Sequence, residues 1–92
     1  MATALARHIL VKTQEEAEQL KKRIAKGDDF GKLAKKHSLC KSGRRSGDLG
    51  EVKPGQMVKV IDQVIFKQPI LTVHGPIKTQ FGFHLVQVVY RD

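Results

Sequence analysis

The sequence predicts an α+β domain with the element order β-α-α-β-α-β-β, in which helices surround a small antiparallel sheet. Segments 4–12 and 83–90 are rich in β-branched and apolar residues, which is typical of strands. Between them, apolar residues recur at intervals of three and four, which is typical of amphipathic helices. The 92 residues contain no repeat and no linker long enough to divide them, so residues 1–92 are expected to form a single domain.

The first half of the chain begins with a strand over residues 4–12 and continues with two helices. Thr13 is the predicted N-cap of the first helix, Glu16 completes a capping box, and Gly27 stops the helix. Asp28 or Asp29 caps a shorter second helix. The expected inner faces of the two helices consist of Ala17, Leu20 and Ile24 in the first, and Phe30, Leu33 and Ala34 in the second.

The middle of the chain is predicted as a loop, a short edge strand and a third helix. Residues 38–47 are polar, basic and rich in glycine, so they are expected to be an exposed loop. Residues 48–52 suit a brief edge strand, and Pro54-Gly55 marks a turn. The third helix ends before Pro69. Its apolar stripe has the spacing i, i+3, i+4, i+7 and i+8 and consists of Met57, Val60, Ile61, Val64 and Ile65.

The last part of the chain is predicted to be a β-hairpin. Gly75-Pro76 opens its first strand and residues 80–82 connect the two strands. Residues 83–90 are apolar on both faces of the expected strand. The final strand is therefore predicted to be central in the sheet and covered on both sides.

The chain is basic, and its positive charge is concentrated in one region. Lysine and arginine number 17 against 9 acidic residues, which gives a formal charge of +8. Residues 31–47 carry no acid, and their cations are Lys32, Lys35, Lys36, Lys41, Arg44 and Arg45. The basic 32–45 region is interpreted either as a solvated face or as a weak contact with nucleic acid or the ribosome.

The sequence carries signals of its compartment as well. No apolar run reaches the ~18–20 residues that span a bilayer, and the first residues do not have the pattern of a secretory signal. Cys40 is the single cysteine, so an internal disulfide is excluded and a reducing compartment is suited. A cytoplasmic, monomeric protein without membrane contact is expected.

Three side chains could take part in catalysis, namely those of His8, His84 and Cys40. The histidines lie on the two terminal strands, each on the side of apolar neighbours, and would meet if those strands were adjacent. A buried histidine is, however, more often a hydrogen-bonded structural residue than a catalyst. Cys40 has no helix start behind it to support a cysteine hydrolase.

The sequence gives no sign of a metal or a cofactor. A zinc site built from His8, His37, Cys40 and His84 would lack a close ligand pair at the usual spacing. Nucleotide-binding and metalloprotease motifs are missing from the sequence as well. No metal and no cofactor are therefore expected.

Six short segments, in order and over nearly the whole chain, match one known pattern. They are HILVK (8–12), FGKLAKKHS (30–38), GDLGE (47–51), GQM (55–57), GPIKT (75–79) and FGFHLVQV (81–88). The sequence resembles the parvulin-type peptidyl-prolyl cis/trans isomerases, in particular their small, single-domain, bacterial-like members. The resemblance implies an FKBP-like fold and cofactor-free rotation of X–Pro bonds in proline-containing peptides and unfolded protein clients. The alternative is a non-catalytic parvulin-like chaperone, or a basic module that binds nucleic acid or the ribosome.

The resemblance also implies roles for particular residues. His8 and His84 match the central histidine pair of the family, which forms a hydrogen-bond network with Thr79. Cys40 lies where the family carries a cysteine or an aspartate beside the substrate carbonyl. These four residues are the catalytic candidates.

The substrate-binding candidates form a second group. Leu49 and Met57 match two walls of the apolar pocket for the proline ring, and Gln56 and Phe81 match residues that line or support the groove. The third wall is usually phenylalanine in the family, but here it is Ile61. The other interpretation of the apolar members of this group is plain core packing.

The connection between the first strand and the first helix bears on the residue that is preferred before proline. Some relatives that prefer a phosphorylated residue before proline insert an arginine-rich loop between the first strand and the first helix. Here the strand leads directly into the helix, with Lys12 as the cation of that stretch. We therefore expect no phosphate preference.

Overall fold

A four-stranded antiparallel sheet and three α-helices make up the fold in the computed structural model, which describes residues 3–92. A short 3-10 helix follows the second α-helix. The elements are β1 (Ala4–Val11), α1 (Gln14–Ala25), α2 (Phe30–His37), the 3-10 helix (Lys41–Arg45), β2 (Asp48–Val52), α3 (Lys59–Lys67), β3 (Val73–Thr79) and β4 (Gly82–Arg91). The predicted α+β class and the predicted element order are confirmed.

The two terminal strands are neighbours at the centre of the sheet. The strand order is β2-β1-β4-β3, so β2 is an edge strand and β4 is central, as predicted. In the register between β1 and β4, His8 lies opposite Val86 and Leu10 lies opposite His84. Because side chains alternate along a strand, both histidines point to the same face of the sheet.

Local capping fixes where the first two helices begin. The Thr13 hydroxyl accepts a hydrogen bond from the backbone N–H of Glu16 at 3.2 Å, so Thr13 is the N-cap of α1 as predicted. Asp29, rather than Asp28, caps α2, and its carboxylate accepts from the N–H of Lys32 at 3.1 Å. Both bonds satisfy donors that a helix leaves free in its first turn.

Each face of the sheet is covered by its own hydrophobic cluster. Helices α1 and α2 pack on one face, where the buried residues are Ile9, Val11, Ala17, Leu20, Phe30, Leu33, Ala34 and Leu85. Helix α3 packs on the other face with Ala4, Ala6, Val52, Ile61, Ile65, Val86 and Val88. The histidines share the face of α3, because they alternate with Ile9 and Leu85 along their strands.

The segment predicted as an exposed loop, residues 38–47, is in part folded and buried. The 3-10 helix lies within it, Ser42 is only 4% exposed and Gly43 is buried. At the end of the segment the carbonyl of Gly47 accepts a hydrogen bond from the N–H of His8 at 2.9 Å. Gly47 has a φ of +81°, and a Cβ there would lie 2.5 Å from the carbonyl oxygen of His8. Glycine therefore lets this segment lie directly against β1.

The apolar stripe of the third helix is narrower than predicted. Ile61 and Ile65 are buried, but Val60 is 42% exposed, and Met57 precedes the first residue of α3. A stripe at helical spacing spans a wide arc, and only its centre faces a single small sheet.

Within residues 3–92, no helix combines the length and the apolar character that crossing a membrane requires.

Candidate functional site

The two histidines meet on the α3 face of the sheet. Their Nδ1 atoms are 3.3 Å apart, and their rings stack with centroids 5.5 Å apart and planes inclined by 19°. His8 is 3% exposed and His84 is 5% exposed. The predicted contact between them is thus present, and it is shielded from water.

A hydroxyl group flanks the pair at each end. The Oγ atom of Ser42 lies 3.0 Å from Nε2 of His8. The Oγ1 atom of Thr79 lies 2.7 Å from Nε2 of His84 and also accepts the backbone N–H of Phe81 at 3.1 Å. The four side chains form one continuous chain of hydrogen bonds, so each ring nitrogen of the pair has a partner.

Burial keeps both imidazoles neutral. Desolvation, together with repulsion between the two rings, lowers the pKa of His8 from 6.5 to about 4. Desolvation lowers the pKa of His84 as well. Near pH 7 each ring therefore carries one N–H and one free lone pair.

Neutral rings require every hydrogen bond in this chain to run in the same direction. In one arrangement the Thr79 hydroxyl donates to His84, His84 donates to His8, and His8 donates to Ser42. In the other arrangement all three bonds are reversed. A donor–donor or acceptor–acceptor contact at the pair would leave buried polar atoms unsatisfied, which costs ~1–3 kcal/mol. The tautomers of the two histidines are therefore coupled.

An apolar cavity of about 270 Å³ opens over the histidine pair. Met57, Val58 and Ile61 form its α3 side, and Phe81, which is 60% exposed, stands at its rim. The other lining residues are His8, Leu10, Cys40 and His84. The cavity is of a size to hold a small apolar ring over a polar floor that is fixed in place.

Cys40 lies at the edge of this cavity and is partly exposed. It is the N-cap residue of the 3-10 helix, and its carbonyl accepts the N–H of Gly43 at 2.9 Å. Its own N–H donates to the Ser38 hydroxyl at 3.3 Å. These two bonds hold Cys40 beside the space where a bound peptide would lie.

Two of the predicted substrate-binding residues do not line the cavity. Leu49 on β2 packs, partly buried, against the hydrophobic cluster under α3. Gln56 is exposed, and its Oε1 accepts the N–H of Lys53 at 2.9 Å, which closes the turn before α3. Leu49 therefore contacts the cluster to which Met57 and Ile61 also belong. Gln56 stabilises the segment that carries Met57.

Three residues of the site were not among the predicted ones, namely Ser42, Leu10 and Val58. Leu10 could have been inferred from strand alternation, because it lies two residues after His8. Ser42 carried no such signal, because it depends on the 3-10 helix within a segment that looks like a loop. In the described part of the chain, no three His, Cys, Asp or Glu side chains lie together as ligands for a metal ion.

Fold and site together define a small domain of the parvulin class. The family profile described as Rotamase, PPIC-type PPIASE domain, matches residues 8–89. The chain belongs to this family of PPIC-type peptidyl-prolyl isomerase domains, which confirms the resemblance seen in the sequence.

Longer bacterial proteins contain a similar stretch. The chain is 41% identical over 88 residues to the foldase protein PrsA of Geobacillus sp. (strain WCH70), covering 95% of this chain and 32% of that protein. It is 43% identical over 96 residues to the chaperone SurA of Nitrosococcus oceani, covering 94% of this chain and 22% of SurA. The chain thus spans about a third or less of the length of these relatives.

Solved structures of similar proteins share the fold. The parvulin NmPin of Nitrosopumilus maritimus superposes with a TM-score of 0.88 at 35% identity, covering 98% of both chains. PrsA from Bacillus subtilis superposes with a TM-score of 0.89 at 37% identity, covering 96% of this chain and 35% of PrsA. The predicted α+β fold is confirmed in this respect too.

Proposed function

We propose that this chain catalyses rotation about X–Pro bonds in unfolded protein clients, with the proline ring held in the 270 Å³ cavity. The observation that carries this proposal is the pairing of an apolar cavity with a buried, neutral histidine pair at its floor. An anchored ring and a free preceding carbonyl are what rotation of this bond requires. The foldase and chaperone relatives are consistent with clients of this kind.

The chemistry needs no bond to be broken. Twisting an amide costs ~18–20 kcal/mol because its resonance is lost, whereas the two planar forms of X–Pro differ by only ~0.5–1 kcal/mol. A catalyst must therefore bind the half-twisted bond better than either planar form. Losing resonance also reduces the charge separation of the amide. Apolar surroundings therefore favour the twisted state more than water does.

Cys40 has a non-covalent role in this proposal. It lies at the cavity edge, where its sulfur can interact with the changing charge of the rotating carbonyl. The histidine pair lies behind it, neutral and fixed by Ser42 and Thr79, so the pair positions the site rather than exchanging protons. The family pattern supports this role, because an aspartate in place of the cysteine would be a poor nucleophile toward an amide.

Phosphorylation before proline is not required in this proposal. β1 ends at Val11 and α1 begins at Gln14, so only Lys12 and Thr13 connect them. This connection has no room for the arginine-rich loop of phosphate-selective relatives. A neutral residue before proline is therefore sufficient for activity.

Compartment and oligomeric state are proposals of the same kind. A cytoplasmic location is supported by the single free cysteine, which suits a reducing compartment, and a monomer is proposed with it. Cell fractionation and the solution mass of the purified chain test these two points.

A second candidate function is contact with a polyanion such as RNA. It is supported by residues 31–47, which carry six cations and no acid. Retention on an RNA column that falls steeply as salt rises would support it.

The deciding experiment measures cis/trans exchange in a short Ala-Pro peptide by NMR exchange spectroscopy, with and without a chelator. The proposal expects exchange to accelerate far beyond the uncatalysed rate, which is tens of seconds per event, and to be unaffected by the chelator. Binding without acceleration would favour the non-catalytic chaperone. Activity that vanishes with the chelator and returns with zinc would overturn the cofactor-free mechanism.

A further inference from the structure

A second concave surface, which we call the cationic groove, lies next to the cavity. It has a volume of about 310 Å³, within the range of ligand sites. Its lining residues are Lys35, Ser38, Leu39, Cys40, Lys41, Gly43 and Arg44. Three of these seven residues are cations, so the groove attracts negative charge.

The cations of the groove are not neutralised by the protein itself. Residues 31–47 contain no Asp or Glu. Among residues 3–92, the close contacts between basic and acidic side chains are those of Arg23 with Asp28 and of His37 with Glu16, so none involves Lys35, Lys41 or Arg44. An anionic side chain of another molecule therefore meets no competing carboxylate in the groove.

The groove continues from the proposed proline site through Cys40. Among the described residues, Cys40 alone lines both the groove and the apolar cavity. The junction is held by backbone contacts. Leu39 donates its N–H to the carbonyl of Leu10 at 2.7 Å, and Leu10 donates to the Ser38 hydroxyl at 3.1 Å. A peptide advances ~3.3 Å per residue when extended, so a chain crossing Cys40 reaches the groove within a few residues of its proline.

We propose that the cationic groove binds a carboxylate side chain of the client, an Asp or Glu within about three residues of the proline. This inference rests on the proposed function, because it takes the cavity as the proline site. The groove makes an acidic flank a preference, whereas a neutral peptide remains a substrate.

The groove suits a carboxylate better than a nucleic acid. A nucleic-acid surface needs a stripe of cations that follows many phosphates, commonly with aromatic side chains for stacking. Here three cations surround one small depression, and its lining contains no aromatic residue. The shared wall with the cavity also places the bound anion on the same chain as the proline.

The experiment titrates the protein with a set of Ala-Pro peptides. Each peptide carries a single Glu at one of the three positions before the proline or one of the three positions after it, and each has a matching Gln peptide. Affinity comes from chemical-shift titration and turnover from exchange spectroscopy. In at least one register the Glu peptide should bind about fivefold more tightly than the Gln peptide, the scale of a few exposed ion pairs. This difference should shrink as salt rises.

The variant combines Lys35→Gln, Lys41→Gln and Arg44→Gln. Its matched control combines Lys26→Gln, Lys53→Gln and Lys67→Gln, three exposed lysines outside the groove that remove the same charge. The groove variant should bind Glu and Gln peptides equally, while the control should keep the preference. Exchange of the neutral peptide should be the same in all three proteins.

The outcomes separate the two claims. If the Glu and Gln peptides bind equally in every register, or if the control loses the preference as fully as the groove variant, the inference is wrong. Fast exchange of the neutral peptide would then still support the proposed catalysis. If the neutral peptide is bound without acceleration, the proposed catalysis fails while the affinity ratio still reports on the groove. A short RNA tests the other occupant. If the RNA binds through the same three cations and does not displace the Glu peptide, then the carboxylate of the peptide does not occupy the groove. The groove would then serve nucleic acid, and the inference would be overturned.

Discussion

The two faces of the central strands differ in what they bury. On the face of α1 and α2, β1 and β4 contribute Ile9, Val11 and Leu85 to a closed apolar cluster. On the face of α3, the same strands contribute apolar residues at one end and His8 and His84 at the other. The cavity opens only over the end that carries the histidines.

This difference shows how a chain of 92 residues combines stability with a site. A domain of this length has a thin core, so it cannot leave both faces of its sheet incomplete. One face of the central strands is covered by α1 and α2 over a buried apolar cluster, and the other is left open over a polar pair whose hydrogen bonds are satisfied internally. Stability and binding should therefore respond to changes on different faces.

The largest effect on stability is expected from Leu85→Ala on the closed face, the face covered by α1 and α2. Leu85 is fully buried, and Leu→Ala substitutions in cores cost ~2–5 kcal/mol. Peptide affinity of the folded fraction should stay unchanged. Leu10→Ala is the matched control, because Leu10 borders the open cavity and should cost less stability but weaken peptide binding. Equal losses of stability in both variants would contradict the contrast between the faces.

Acid should lower the free energy of unfolding through the two histidines on the open face, the face covered by α3. The unfolded chain takes up a proton on His8 near pH 6.5, whereas the folded chain does so only at about 4. Stability is therefore fully present above pH 6.5 and is lost as the pH falls toward 4, by roughly 3 kcal/mol at 1.36 kcal/mol per pKa unit. His84 acts in the same direction. Denaturant unfolding at several pH values measures this loss.

Removing a histidine should lower stability and activity together. His8→Ala leaves the Ser42 hydroxyl and the Nδ1 atom of His84 without the partner that His8 provides, at ~1–3 kcal/mol for an unsatisfied group. The melting temperature should fall at pH 7.5, and the acid-dependent loss should be smaller than in the wild type. Unchanged stability with abolished activity would make His8 a direct catalyst instead of a positioning residue.

Substitutions of Cys40 test whether its side chain acts on the rotating carbonyl. Cys40→Ala should reduce kcat/KM by about tenfold, equivalent to ~1.4 kcal/mol, with little change in melting temperature. Cys40→Asp should retain part of the activity, since the proposed role is electrostatic. A folded Cys40→Asp protein as inactive as Cys40→Ala would favour a covalent nucleophile.

The smallest effect is expected at Ile61, where the family usually has phenylalanine. Ile61 is 1% exposed but borders the cavity, so a larger side chain has adjacent space to occupy. Ile61→Phe should be tolerated and should tighten binding of proline peptides by ~0.5–1.5 kcal/mol through the aromatic face. Met57→Ala should weaken binding, and Leu49→Ala, outside the cavity, should leave it unchanged. Unfolding of Ile61→Phe would show that Ile61 serves core packing alone.

The sequence was sufficient for those parts of the fold that depend on local periodicity. The helix cap at Thr13 follows from a short-range bond, and Asp29 is one of the two cap candidates that the sequence offers for the second helix. Strand alternation places each histidine on the side of its apolar neighbours, but their contact also requires β1 and β4 to be adjacent. The caps and the alternation along each strand depend only on residues that are close in the sequence.

The remaining features depend on contacts between distant segments. Ser42 reaches His8 because the 3-10 helix and Gly47 bring residues 41–47 against β1, and no local pattern encodes that approach. Leu49 looks like a pocket residue in the sequence, but the position of β2 at the sheet edge turns it toward the cluster under α3. The exposure of Val60 likewise depends on how α3 lies on the sheet.

The most direct test of the central claim is a chemical-shift titration with an Ala-Pro peptide, recorded together with exchange spectra of the same sample. The open face should respond, with the largest shifts at Cys40, Met57, Val58 and Phe81, while exchange between the cis and trans peptide signals accelerates. Residues such as Leu20 and Leu33, on the closed face, should not respond. Shifts concentrated on the closed face, or a response at the cavity without any acceleration of exchange, would contradict the account.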